Sequence, residues 1–119
     1  MPASESRLRV KKINEVVQVE FLDRNILDEA NIQRIGEELA TIIEGQASPK
    51  LLISFSNVDH LSSAALGTLI TVHNKVKNKA GQLRLSDIDP QIYEVFVITK
   101  LHKLFEIHPT AADAMRSFK

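Results

Sequence analysis

The sequence predicts one α/β domain, a mixed, mostly parallel sheet of about five strands packed with four helices. Three observations carry this. Strand-length apolar runs alternate with segments whose apolar residues recur at helical spacing, in the order β-β-α-β-α-β-α-β-α. The run Leu51, Leu52, Ile53 and Phe55 is nearly continuous rather than alternating, as in a strand covered on both faces. The chain has 119 residues, 44% hydrophobic and 25% charged, which suits a single soluble globular domain.

Residues 1–6 contain no apolar stretch of the kind a secretory signal needs and read as a loose tail, leaving a domain at 7–119. Leu8 and Val10 alternate with charged neighbours as a weak edge strand. Val16, Val17, Val19 and Phe21 form a better one, and Ile13-Asn14-Glu15 turns between them. Asp28 is positioned to cap a helix carrying Ile32, Ile35, Leu39, Ile42 and Ile43 inward and Gln33, Glu37 and Glu38 outward. Gly36 within it suggests close packing against the sheet. Gly45 is expected as a left-handed C-cap, with Ser48-Pro49 blocking a restart.

After the central strand, a polar turn from Ser56 to His60 precedes a helical pattern from Ala65 to about Val76. Ala65, Leu66, Leu69, Ile70, Val72, His73 and Val76 form its apolar stripe, with Thr68, Thr71, Lys75 and Asn78 opposite and Gly81 as the stop. Leu83 and Leu85 mark a half-buried strand. Asp89-Pro90 supplies an N-cap and first helical residue for a helix burying Ile92, Val95, Phe96 and Ile98 or Thr99. Phe105-Glu106-Ile107 is a short strand. A last helix from Pro109 or Thr110 uses Ala111, Ala112, Met115 and Phe118 as apolar positions. Parallel strands joined by helices require right-handed crossovers.

Several function classes are disfavoured. Fifteen basic and fifteen acidic residues give zero formal charge without a basic stripe, so no nucleic-acid partner is expected. Lys75, Lys77 and Lys79 suit the negative end of a helix. No stretch approaches the roughly 18 apolar residues of a membrane span, so no membrane insertion is expected, and the cytoplasm is the expected compartment. Cysteine is absent, and His60, His73, His102 and His108 lack the spacing of a metal site, so neither metal nor cofactor is expected. Gly67 and Gly81 are isolated from any phosphate loop, and no GxSxG occurs. A pairing of His60 with Ser62 or Ser63 would still need an orienting acid and an oxyanion site, so catalysis is not expected. His73 reads as a semi-buried packing residue, and His102 and His108 as loop hydrogen-bonding groups.

Ser62 and Ser63 are the candidates that remain. They stand where a strand hands over to a helix, a place of unpaired N–H groups and positive dipole that favours an anion. One of them can simply cap the helix, worth about 1 kcal/mol. Alternatively Ser63, or Ser62, is a phosphoacceptor, gaining nearly two negative charges and three acceptor oxygens.

The strand–turn–Ser-Ser–helix unit, followed by Ala80-Gly81-Gln82-Leu83-Arg84-Leu85, a helix opening at Asp89-Pro90 and the segment Leu101-His102-Lys103-Leu104-Phe105-Glu106-Ile107, resembles the STAS domain of bacterial anti-sigma factor antagonists. The resemblance runs from about Val16 to the C-terminus. It implies a non-enzymatic, STAS-like binding module whose partner is an anti-sigma factor that is also a serine kinase, with a phosphatase to reset it. Typical members open the second helix with D-S-S/T-G-L-G. Here Ser62-Ser63-Ala64-Ala65-Leu66-Gly67 places Ser63 at the phosphoacceptor, while Ser62 replaces the aspartate and Ala64 and Ala65 replace the second hydroxyl and the glycine. An aspartate often found before the first helix has Asn25 as its nearest match, with Asp23 close by. The implied partner surface comprises Asp59, His60, Ser62, Ser63, Ala64 and Gly67, with Asp23 and Asn25 beside it and Thr68 and Thr71 extending it. The rival implication is an unphosphorylated STAS scaffold or a subunit of a stress-sensing assembly or transporter, as a homo-oligomer or with other STAS proteins.

Overall fold

The computed structural model describes residues 8–118. The expected tail at 1–6 lies outside the described residues. Along the chain run β1 (Leu8–Ile13), β2 (Val16–Phe21), β3 (Asn25–Ile26), α1 (Glu29–Glu44), β4 (Lys50–Ser54), β5 (His60–Leu61), α2 (Ser63–Asn78), β6 (Gln82–Ser86), α3 (Pro90–Ile98), a 3-10 turn (Leu101–Lys103), β7 (Glu106–His108) and α4 (Ala111–Ser117).

The main sheet has the order β1-β2-β4-β6-β7, with β1 antiparallel at one edge and the other four strands parallel. β4 is central, which explains its unbroken apolar run. Leu51 and Ile53 join Val17, Val19 and Leu85 in the main core beneath α1, α2 and α3, while Leu52 faces the other way into a small cluster with Val16 and Ala114 of α4. Leu51, Leu52 and Ile53 are fully buried. A file of aromatic rings crosses the main core: Phe21 to Phe55 at 5.2 Å, Phe55 to Phe96 at 6.4 Å and Phe96 to Phe105 at 5.9 Å.

Local chemistry sets the helix starts. The side chains of Asp28, Asp89 and Thr110 accept from the backbone N–H of Asn31, Gln91 and Asp113, and Pro90 occupies the first turn of α3. The ends differ from expectation. Gly45 is not left-handed, since its φ is −78°. Instead the Lys79 ammonium donates to the carbonyls of Ile43 and Glu44 at 3.2 and 3.1 Å, so the following helix supplies the cation that closes α1. After α2, which stops just before Gly81 as expected, the left-handed residue is Ala80, with φ of 56°. Gly81 is required for a different reason: a Cβ there would lie 2.3 Å from the Pro49 carbonyl oxygen.

Three packing expectations are also corrected. Gly36 makes its close approach to α2 rather than to the sheet, because a Cβ there would meet Thr68 Cγ2 at 3.2 Å. In α3 only Ile92 and Phe96 are buried, and Val95, Ile98 and Thr99 are exposed. In α4 the buried alanine is Ala114, whereas Ala112 is exposed. Arg84 helps hold α4 in place: its guanidinium bonds Ser117 Oγ and Glu106 at 2.8 Å each and lies 5.1 Å from the Phe118 ring centroid.

Candidate functional site

Two loops meet where β2 and β4 end. The chain leaving β2 and the chain leaving β4 form a second, two-stranded parallel ribbon, in which β3 pairs with β5, Asn25 opposite His60 and Ile26 opposite Leu61. The Arg24 carbonyl accepts from the N–H groups of Asp59 and His60 at 2.7 and 3.2 Å, and Ser62 N–H donates to the Ile26 carbonyl at 3.1 Å. The Arg24 guanidinium adds an ion pair to Asp59 at 2.9 Å, exposed on both sides. Asn57 Nδ2 donates to the Phe21 carbonyl. Buried Ile26 and Val58 anchor the two loops from below. The start of α2 is therefore held by backbone bonds on one side and by its own helix on the other.

The two serines divide the work. Ser62 is the N-cap, extended at φ −84° and ψ 166°, and its hydroxyl accepts from Ala65 N–H at 3.2 Å. Ser63 is the first residue of α2 and is exposed. Its hydroxyl makes no hydrogen bond to the other described residues. No acidic side chain occupies the first turn of α2, whereas α1 carries Glu29 there. The first turn of α2 thus carries no counter-charge of its own, and a negative group on Ser63 would interact favourably with the positive helix end.

Ser63, Ala64, Gly67 and Thr71 share one exposed stripe of α2, and a Cβ at Gly67 would meet nothing within 4 Å. The stripe is shallow and uncharged, so another protein's backbone can approach it closely. Thr71 is exposed, its hydroxyl donating to the Gly67 carbonyl at 3.2 Å. Thr68 is half-buried against Gly36 of α1, its hydroxyl bonded to the Ala64 carbonyl, so it belongs more to the helix contact than to an open polar side. His60 and Asn25 are exposed on the ribbon; Asp23 is half-buried with a buried carboxylate oxygen. Arg24 lies in the loop from Leu22 to Asn25 that the sequence places beside the site, but its pairing with Asp59 is visible only in the structure.

Beside the ribbon lies an open cleft of about 360 Å³ lined by Phe55, Ser56, Val58, Asp59, Asp87, Ile88 and Asp89. Three carboxylates there disfavour a nucleotide or other phosphate-bearing small molecule. Among the described residues, no group of three or more His, Cys, Asp or Glu side chains is placed to hold a metal ion, and no helix is long and apolar enough to cross a membrane. His102 Nδ1 lies 3.3 Å from the Phe96 carbonyl, His108 bonds Glu106 at 2.8 Å, and His73 packs edge-on against Phe105. Burial, and then the charge of Lys77, hold the His73 imidazole below its usual pKa.

A family model described as the STAS domain matches residues 8–114. The chain belongs to the STAS family. Among curated relatives, BtrV of Bordetella bronchiseptica, provisionally named an anti-sigma factor antagonist, is 24% identical over 96 residues, 81% of this chain and 82% of that protein. Among solved structures, a STAS anti-sigma-factor antagonist domain protein from Planctomyces limnophilus superposes with a TM-score of 0.84 at 20% identity, covering 92% of this chain and 96% of that one. The anti-sigma factor antagonist SpoIIAA, unphosphorylated, superposes at 0.69 with 17% identity over 93% of this chain and 99% of that one. SpoIIAA of Bacillus has also been solved in a phosphorylated form. At these identities the structural likeness establishes the STAS fold.

Proposed function

We propose that this STAS domain is an anti-sigma factor antagonist, a regulatory binding module that docks on an anti-sigma factor through the start of α2. The docking surface comprises Asp59, His60, Ser62, Ser63, Ala64, Gly67 and Thr71, with Arg24 and Asn25 beside it. Phosphorylation of Ser63 by a serine kinase, which is the anti-sigma factor itself, switches binding off, and a phosphatase restores it. The supporting observation is the division between the serines: Ser62 caps the helix, leaving Ser63 exposed with its hydroxyl unengaged by other described residues. The likeness to a protein solved in both phosphorylated and unphosphorylated forms supports the same reading. A phosphate on the shallow stripe would impose bulk and charge where a partner must come close. Incubation with the cognate kinase and ATP, followed by intact mass, tests the switch. Wild type should gain one phosphate and Ser63→Ala none; no gain in wild type, or equal gain in both, rejects phosphorylation at Ser63.

A second reading is supported by the departures from the family motif, Ser62 in place of its aspartate and buried Ala65 in place of its glycine. It makes the chain an unphosphorylated scaffold that assembles with other STAS chains. A stoichiometric complex with such chains that survives Ser63→Glu unchanged would favour it.

A further inference from the structure

Where β4 and β6 leave the sheet, one side chain ties their ends together. Ser54 and Ser86, the last residues of those strands, pair across the sheet and are the only buried polar side chains among the described residues. Asp87 takes a hydrogen bond from each: its Oδ2 accepts from Ser86 Oγ at 2.7 Å and from Ser54 Oγ at 3.3 Å. A serine hydroxyl that donates its one hydrogen can still accept. Ser54 Oγ does so from the N–H of Ser56 at 3.4 Å, in the loop between β4 and β5. Asp87 reaches both hydroxyls from a left-handed backbone, φ 59°, which aspartate tolerates better than most residues. Asn14, Ala80 and Lys100 share that conformation, but each closes a hairpin or follows a helix.

The loop held in this way carries the docking surface. The β3–β5 ribbon bonds its two loops to one another, and Asn57 and Ser56 bond towards β2, at the Phe21 carbonyl and the Glu20 carboxylate. Towards β6 the loop is held by Phe55 N–H, which donates to the Ser86 carbonyl at 2.9 Å, and by the chain of bonds from Asp87 through Ser54 to Ser56. We infer that Asp87 is a positioning residue for the docking surface: its carboxylate fixes the start of the β4–β5 loop against β6, and with it the place of Asp59, His60 and Ser63. The inference rests on the reading of that surface as the docking site. Without the carboxylate both buried hydroxyls lose their acceptor, and the strand ends must open to water to satisfy them.

Amide hydrogen exchange of the full chain tests this without a partner. Asp87→Gly removes the carboxylate and leaves the left-handed backbone unstrained, whereas Asp87→Asn keeps an acceptor oxygen and tolerates the same backbone. Exchange at Ser56, Val58, Asp59 and His60 should quicken by about tenfold or more in Asp87→Gly and stay within about twofold of wild type in Asp87→Asn. Ser54→Ala, which cuts the link to Ser56 and leaves the Ser86–Asp87 bond, should quicken Ser56 and Val58 in the same way. Affinity for the cognate anti-sigma factor should fall about tenfold in Asp87→Gly and return in Asp87→Asn. Unchanged exchange in Asp87→Gly overturns the proposal, as does equal quickening at Leu39 of α1, which reports lost overall stability. Quickened exchange at the loop with wild-type affinity overturns it too, because Asp87 would then be structural only. A wild type that does not bind at all refutes the docking reading instead, and the exchange rates still decide whether Asp87 holds the loop.

Discussion

Replacing Ser62 by alanine removes the hydroxyl that accepts from Ala65 N–H at 3.2 Å and leaves the first turn of α2 without a side-chain cap. Loss of such a cap costs about 1 kcal/mol. For 119 residues, an unfolding entropy of about 2.1 cal/mol/K per residue gives roughly 250 cal/mol/K, so Tm should fall by about 4 °C. Ser63→Ala deletes a hydroxyl with no partner among the described residues and should stay within about 0.5 kcal/mol, or about 2 °C. Ser63→Glu adds a charge at the positive helix end and should stabilise by roughly 0.3–1 kcal/mol at low salt, less as salt rises. Thermal unfolding by circular dichroism, checked by urea titration, reads all three. If Ser63→Ala costs as much as Ser62→Ala, or Ser62→Ala costs nothing, the division of labour between the serines is wrong, and with it the reason for choosing Ser63 as the switch.

Two further perturbations probe the frame around the site. Gly81→Ala places a Cβ against the Pro49 carbonyl and should destabilise by about 2 kcal/mol or more, whereas Gly67→Ala, in open space within α2, should stabilise by up to about 1 kcal/mol; urea midpoints distinguish them. His73 has a folded-state pKa lowered by burial and by Lys77, so the unfolded chain binds more protons as pH falls through 6.5 towards the folded value. Stability should therefore drop on mild acidification, and His73→Gln should flatten that slope; an equal slope in the variant contradicts the assignment.

Much of this arrangement is local and could be read from the chain. The caps at Asp28, Asp89 and Thr110 act on amides two or three residues away, and the unbroken run of β4 follows from its burial between two layers. The features that escaped depend on distant residues. The Gly36–Thr68 contact and the Lys79 closure of α1 exist only once α1 and α2 are packed, and β3 and β5 are too short to carry any periodicity. Ser62 and Ser63 could not be ordered by pattern because Ala64 and Ala65 give the first turn little contrast between faces. A one-residue shift in the helix start separates a structural cap from an exposed hydroxyl, and here the Ser62–Ala65 bond fixes it. The exposed side of α3 escaped for another reason: periodicity reports that a residue is apolar, not that an inward partner is available for it.

Backbone amide shifts of labelled protein, followed by NMR while the cognate anti-sigma factor is added, test the docking surface most directly. The account predicts changes concentrated between Asp59 and Thr71 and at Arg24 and Asn25, with affinity at least about tenfold weaker for Ser63→Glu, a loss of about 1.4 kcal/mol. Changes centred on α4 or β1 with the start of α2 silent, or a Ser63→Glu variant that binds as wild type does, would contradict it.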